Sequence, residues 1–316
     1  MKFVKMHGCG NDYVYLDGVT DARVAARIAW PSWPALVKEM SDRHKGIGSD
    51  GVIVIARPDG AGAGAHVRMR MFNADGSESE MCGNGVRCVA KFAHDRLGVR
   101  ANPMLVQTGR GVLSITYAAV GGKVASATVD MGEPILEAER VPVQTGGKHR
   151  LVVGVPRTEF FPDTIDIVVA AQNDGENPLE MLGPTATCVS MGNPHVVFWG
   201  PVEMEHPEDQ LIAAVGPWLE DAEMFPSRVN VHIVDVLDRG RVRMHTWERG
   251  AGITQACGTG ACAAVVAGIL EKKLDRQVAV EVLGGELSIR WDESTDHVFM
   301  TGPAEDVCEG VWLGAL

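Results

Sequence analysis

Short apolar runs rich in β-branched residues recur along the chain, among them V-I-V-I-A at 52 to 56, H-V-R-M-R-M-F at 66 to 72, S-A-T-V-D-M at 126 to 131 and V-N-V-H-I-V-D-V at 229 to 236. Gly, Pro, Asn and Asp bound them, which predicts strands separated by turns. Helical patterns are fewer: Pro34 to His44, the stretch after Cys82, Pro207 to Leu219, and the stretch after Cys257. The stretches after the two cysteines are rich in Ala, Val and Cys and poor in charge, so each predicts a helix apolar on most sides and buried. The chain therefore reads as an α+β protein of two mostly antiparallel sheets, each wrapped around a central helix.

The two cysteine-led helices are copies. Sliding the chain by 175 positions lays Cys82-Gly83-Asn84-Gly85 on Cys257-Gly258-Thr259-Gly260, Val67-Arg68-Met69 on Val242-Arg243-Met244, Phe72 on Trp247 and Asn73 on Glu248. G-V-L-S-I at 111 to 115 echoes G-E-L-S-I at 285 to 289, and M-H-G-C-G-N-D-Y-V at 6 to 14 echoes C-V-S-M-G-N-P-H-V at 188 to 196. A period this long is a duplicated domain, not a solenoid unit of roughly 20 to 50 residues. The expected division is 1–131, with about 303–316 returning to it, and 132–302. No long linker separates them, so the expected site is an interdomain cleft.

Composition narrows the classes. The chain has 316 residues, 46% hydrophobic and 22% charged, as in a globular protein of two domains. A formal charge of −12 without a lysine or arginine block argues against nucleic acid as a partner. The opening M-K-F-V-K-M-H-G-C-G-N-D lacks the apolar core of a signal peptide, and the apolar stretch Cys262 to Leu270 falls short of the ~20 residues of a membrane span. The expectation is a cytoplasmic protein with no membrane partner. Seven cysteines, an odd count, must then be read site by site.

A cysteine before Gly-x-Gly at a helix start presents its sulfur to backbone N–H groups that favour the thiolate, and the glycines let a carboxylate approach them. Two such half-sites suit the inversion of a stereocentre next to a carboxylate, one sulfur taking the α-proton from one face and the other, as a thiol, giving a proton to the opposite face. A thiol pKa of ~8.5, lowered by the helix start, would come near working pH. Taken singly, either cysteine also reads as a packing thiol. Cys88 and Cys262 read as packing residues, Cys9, Cys188 and Cys308 have no evident chemical partner, and the four helix cysteines lack the C-x₂₋₄-C spacing of a zinc site.

Together M-H-G-x-G-N-D, F-N-A-D-G-S-E-x-x-x-C-G-N-G, M-G-N-P-H, V-N-V and W-E-R-G-A-G-x-T-x-A-C-G-T-G-A-C-A-A resemble the diaminopimelate epimerase family over nearly the whole chain. The resemblance implies interconversion of LL- and meso-diaminopimelate, on the path to lysine and peptidoglycan, without pyridoxal phosphate or metal. By the same resemblance Cys82 and Cys257 are the acid/base pair, and Gly83, Asn84, Gly258 and Thr259 hold the reacting carboxylate. Asn11, Asn73, Asn193, Asn230, Glu248 and Arg249 hold the rest of the substrate, with His195 beside the site. A homodimer is suggested. Two positions depart from the family: Gly51, where some members place a glutamine that touches substrate, and Ile253, often glutamate. A racemase of another amino acid such as proline, and a non-catalytic binding protein or redox sensor, stay open as rivals.

Overall fold

The computed structural model describes residues 1–160, 181–200 and 208–314. Met1–Asp130 together with the chain from Thr301 onward form one compact unit, and Met131–Met300 form another.

In the first unit β1 (Lys2–Gly8), β2 (Asn11–Asp17), β3 (Gly51–Ala56), β4 (Val67–Asn73), β5 (Glu78–Ser79), β6 (Met104–Thr108), β7 (Gly111–Val120) and β8 (Lys123–Asp130) follow in chain order. Helices α1 (Ala22–Arg27) and α2 (Trp33–Ser41) lie between β2 and β3, and α3 (Gly83–Leu97) lies between β5 and β6. The pairs β1–β2, β3–β4, β4–β5 and β6–β7 are antiparallel, whereas β2–β3 and β4–β6 are parallel. Both parallel pairs follow helical connections, as crossovers require.

The second unit repeats this plan. It contains β9 (Val155–Pro156), β10 (Thr185–Ser190), β11 (Pro194–Trp199), α4 (Glu208–Glu220), β12 (Asn230–Asp238), β13 (Arg241–Glu248), β14 (Gly252–Ile253), α5 (Gly258–Leu270), β15 (Gln277–Val282) and β16 (Gly285–Trp291). From β10 to β16 the pairings again run antiparallel, parallel, antiparallel, antiparallel, parallel, antiparallel. The helix expected from Pro207 is seen from Glu208, Pro207 itself lying outside the described residues. Two last strands follow, β17 (Val298–Pro303) and β18 (Glu305–Val311), and β18 pairs antiparallel with β1.

Each sheet is buried on both faces where it carries the site. α3 touches β1 to β4 and β6 to β8, and α5 touches β10 to β13 and β16. On the far faces Trp33, Val37 and Met40 of α2 pack on Val14, Leu16, Val52, Val54 and Phe72, while Ile212, Val215 and Leu219 of α4 pack on Val231 and Ile233. This double cover explains why β3 and β11 are apolar runs rather than alternating strands. Among the described residues no helix is long and apolar enough to cross a membrane.

The departure at Gly51 is built into this framework. Gly51 stands opposite Asn73 in the β3–β4 register, and a Cβ there would fall 2.1 Å from the Phe72 carbonyl oxygen. No side chain fits without backbone movement. Gly51→Ala should therefore lower the unfolding free energy by about 1–3 kcal/mol, read from urea unfolding curves with an unchanged slope.

Candidate active site

In the first unit Cys82 is the N-cap of α3, its backbone extended (φ −129, ψ 122) and its Sγ accepting the Gly85 N–H at 3.4 Å. A sulfur thus takes the place of the usual Ser or Asp oxygen. The Gly83 and Asn84 N–H groups lie at the same end, where a helix has no internal acceptors for its first donors. Asn84 is buried and its Nδ2 donates to Asn11 Oδ1 at 2.8 Å, which commits the Asn11 oxygen and leaves its N–H edge for a ligand. Asn73 ends β4, and its Nδ2 donates to Ser77 Oγ at 3.0 Å across the turn.

One residue of this half-site escaped the sequence reading. Arg87 is wholly buried, donating to Asn84 Oδ1 at 2.9 Å and to the Pro303 carbonyl at 3.1 Å. It fixes which way the Asn84 amide points. Gly8 makes room for it, since a Cβ there would lie 2.7 Å from Arg87 Nη2. The available signal was an arginine one turn into the helix, between the apolar Val86 and Cys88.

In the second unit Cys257 is the N-cap of α5 and only 3% exposed, with Thr259 Oγ1 at 3.7 Å from its sulfur. Asn193 Nδ2 donates to Thr259 Oγ1 at 3.3 Å, and Asn193 Oδ1 meets His195 Nε2 at 3.0 Å. Asn230 is committed inward. Its Nδ2 donates to the Pro194 carbonyl at 2.9 Å and its Oδ1 accepts the Arg249 N–H at 3.0 Å, so it ties β11, β12 and the turn after β13 together. Glu248 closes β13 and accepts the Thr254 hydroxyl at 2.5 Å, while Arg249 Nη1 donates to the Ser227 carbonyl at 2.7 Å. Ile253 pairs with Trp247 and is exposed.

The thiol electrostatics overturn one expectation. A helix start was expected to draw the sulfur toward the thiolate, but burial pushes the Cys257 thiol well above its ordinary value and the Glu248 charge adds to this, against the opposing Thr259 and Gly260 donors. The reason is one of magnitude. A helix terminus contributes about 0.3–1 kcal/mol, whereas full burial can shift a pKa by 3–5 units. Cys88, wholly buried, is likewise raised to about 11.

His232 is the second residue that the sequence reading missed. Its Nε2 lies 2.9 Å from His195 Nδ1, its Nδ1 lies 3.0 Å from Thr246 Oγ1, and both histidines are fully buried. A Cβ on Gly260 would fall 2.3 Å from His232 Cε1, so the third residue of α5 must be small for the ring to pack there. Donor atoms of His195, His232 and Cys257 all lie within 4.8 Å of one another. These three could hold a soft metal ion only by giving up the bond between the rings, which already satisfies both.

The profile of the family described as Diaminopimelate epimerase matches residues 3–137 and 187–307. The diaminopimelate epimerase of Methanococcus maripaludis is 42% identical over 310 residues, covering 98% of this chain and 99% of that protein. That of Desulfovibrio desulfuricans is 43% identical over 318 residues, covering 98% and 97%. Solved structures with the same fold include a probable proline racemase from Agrobacterium radiobacter (TM-score 0.63, 14% identity, covering 99% and 93%) and a hydroxyproline epimerase from Agrobacterium vitis (TM-score 0.60, 13% identity, covering 98% and 90%).

The buried histidines make stability pH-dependent. Burial lowers His232 to about 3, and burial, His232 and the Arg249 charge hold His195 well below its usual range. The unfolded chain takes up these protons near pH 6.5, so the stability they contribute is complete above that value and is lost as pH falls from 6.5 toward 3. At pH 5 His232 alone accounts for about 2 kcal/mol. Urea unfolding at pH 7 and pH 5 should show this loss in the parent protein and a smaller one in His232→Gln.

Proposed function

Because the chain belongs to the diaminopimelate epimerase family, we propose that it interconverts LL- and meso-2,6-diaminopimelate without pyridoxal phosphate, one of Cys82 and Cys257 taking the α-proton as a thiolate while the other, as a thiol, delivers its own proton to the opposite face. The observation that carries the reading is the repeat itself. Each unit sets a cysteine as N-cap on a buried, glycine-opened helix, so each supplies a sulfur beside backbone N–H donors. A carboxylate received by the N–H groups of Gly83, Asn84, Gly258 and Thr259 has its developing negative charge met as the α-proton leaves, a contribution of ~3 to 4 kcal/mol per well-placed donor.

Each cysteine serves one face of the carbon. Cys257 rests as the thiol, because burial and Glu248 disfavour its anion. It is therefore the acid of the first step, and Cys82 is the base. A substrate ammonium beside Glu248 offsets the carboxylate charge and brings the Cys257 anion within reach for the reverse direction. Arg249 offers a planar fork for the distal carboxylate, and Asn11, Asn73 and Asn193 orient the polar arms of the zwitterion. Asn230 acts at one remove, by holding the Arg249 backbone. As a small-molecule biosynthetic enzyme the protein is further proposed to be cytoplasmic and homodimeric, which sedimentation velocity checks.

Metal-free, pyridoxal-free protein should exchange the α-proton of LL-diaminopimelate with D₂O and form the meso isomer. Loss of exchange on removing metals or pyridoxal would refute the two-thiol reading. Cys82→Ala and Cys257→Ala should each lower turnover by roughly 10²- to 10⁴-fold, the usual contribution of an acid/base group. Arg249→Lys keeps the charge but loses the fork, and should lower kcat/KM about 10- to 100-fold; comparable rates on lysine and diaminopimelate would show the distal site to be misassigned.

A further inference from the structure

Five hydrogen bonds connect Thr246 to Cys257 through side chains alone. The steps are Thr246 Oγ1 to His232 Nδ1 (3.0 Å), His232 Nε2 to His195 Nδ1 (2.9 Å), His195 Nε2 to Asn193 Oδ1 (3.0 Å), Asn193 Nδ2 to Thr259 Oγ1 (3.3 Å) and Thr259 Oγ1 to Cys257 Sγ (3.7 Å). All six residues lie in the second unit. Their direction follows from donor inventory. A neutral imidazole has one donor and one acceptor nitrogen, and an amide oxygen only accepts. His195 therefore donates from Nε2 and accepts at Nδ1. His232 must then donate from Nε2 and accept the Thr246 hydroxyl at Nδ1. At the other end the Asn193 amide donates to Thr259 Oγ1, which turns the Thr259 hydrogen to the sulfur.

We propose that His232, supported by Thr246, is a positioning residue for the reaction: it locks His195 in one tautomer, so that Asn193 and Thr259 are held with a hydroxyl donor aimed at Cys257. The donor stabilises the sulfur anion that this half-site must form in one direction of turnover. Reversing any link reverses all, because each neutral ring transmits the polarity of its neighbour. If the chain ran the other way, the Asn193 amide would be turned over and Thr259 would accept from the thiol. The first unit has the related amide pair with the opposite polarity: the helix residue Asn84, whose own oxygen accepts from Arg87, a group that can only donate, in turn donates to the strand residue Asn11. The arrangement around Cys257 is thus particular to that sulfur. Titratable groups of the described residues around it are Glu248 at the end of β13, His195 on β11 and His232 on β12.

The assignment rests on Cys257 being a reacting group, but its tests do not need turnover. Ring-¹⁵N NMR of histidine-labelled parent protein at pH 7 should show two neutral Nε2–H tautomers for His195 and His232. An Nδ1–H signal from either ring overturns the chain. In His232→Leu the midpoint of Cys257 alkylation against pH, followed by peptide mapping, should rise by about one unit, a roughly tenfold slower labelling at fixed lower pH. Cys82 labelling should not change, and His232→Gln, whose amide can both donate to His195 and accept from Thr246, should restore most of the rate. An unchanged Cys257 profile in folded His232→Leu refutes the proposal, as does an equal shift in both variants, which would mark a packing effect. Should His232→Leu fail to fold, Thr246→Val tests the same direction with an expected shift of about threefold in rate, and its absence refutes the proposal. Intact tautomers and a shifted profile in a protein without epimerase activity would leave the chain standing and remove the functional reading instead.

Discussion

A helix whose first turn is buried inside its own sheet cannot leave its leading N–H groups to water, and the organisation of both half-sites follows from that constraint. The first donors of α3 and α5 need acceptors. In α3 the Cys82 sulfur takes one of them, and in both helices glycine at the third position keeps that turn open to its neighbours. At Gly85 a Cβ would stand 2.7 Å from Ile53 Cδ1, and at Gly260 it would strike His232. Donors left over at the helix start are what a carboxylate ligand can use.

Around these two equivalent frames the side chains diverge. Cys82 is partly exposed, and its neighbour Asn84 is oriented by a buried guanidinium. Cys257 is closed off beside a carboxylate, and its neighbour Thr259 is oriented through two neutral imidazoles. Duplication supplied the symmetry of backbone and sulfur. The fixed charge within the first frame and its neutral counterpart in the second supply two sulfurs of unlike character, which a reaction needing one acid and one base can use.

Burial and the helix start act on the same sulfur in opposite directions, and burial wins at Cys257. Such a thiol is poorly reactive until a ligand changes its surroundings. Charge on an incoming ammonium, and the hydroxyl of Thr259, act directly on the anion.

The duplication, the α+β architecture and the capping cysteines were legible in the chain because they rest on local patterns: β-branched runs between turn residues, and two stretches opened by Cys-Gly-x-Gly. The second of these is free of charge, while the first carries Arg87, Lys91, Asp95 and Arg96 and is buried nonetheless over most of its length. The family was legible because several long motifs stand in order. Arg87 and His232 were not, since an arginine in a helix and a histidine in a strand ordinarily read as solvated or simply packed. Their roles come from partners distant along the chain, Pro303 in one case and His195 and Thr246 in the other. The sign of the Cys257 shift was also beyond the sequence, because the local motif specifies the helix start and only packing specifies how much water is removed. What the sequence by itself determined is which groups stand at the two helix starts; how strongly each is desolvated, and which way its hydrogen bonds run, was decided only when the strands around each helix brought distant side chains within 3 Å.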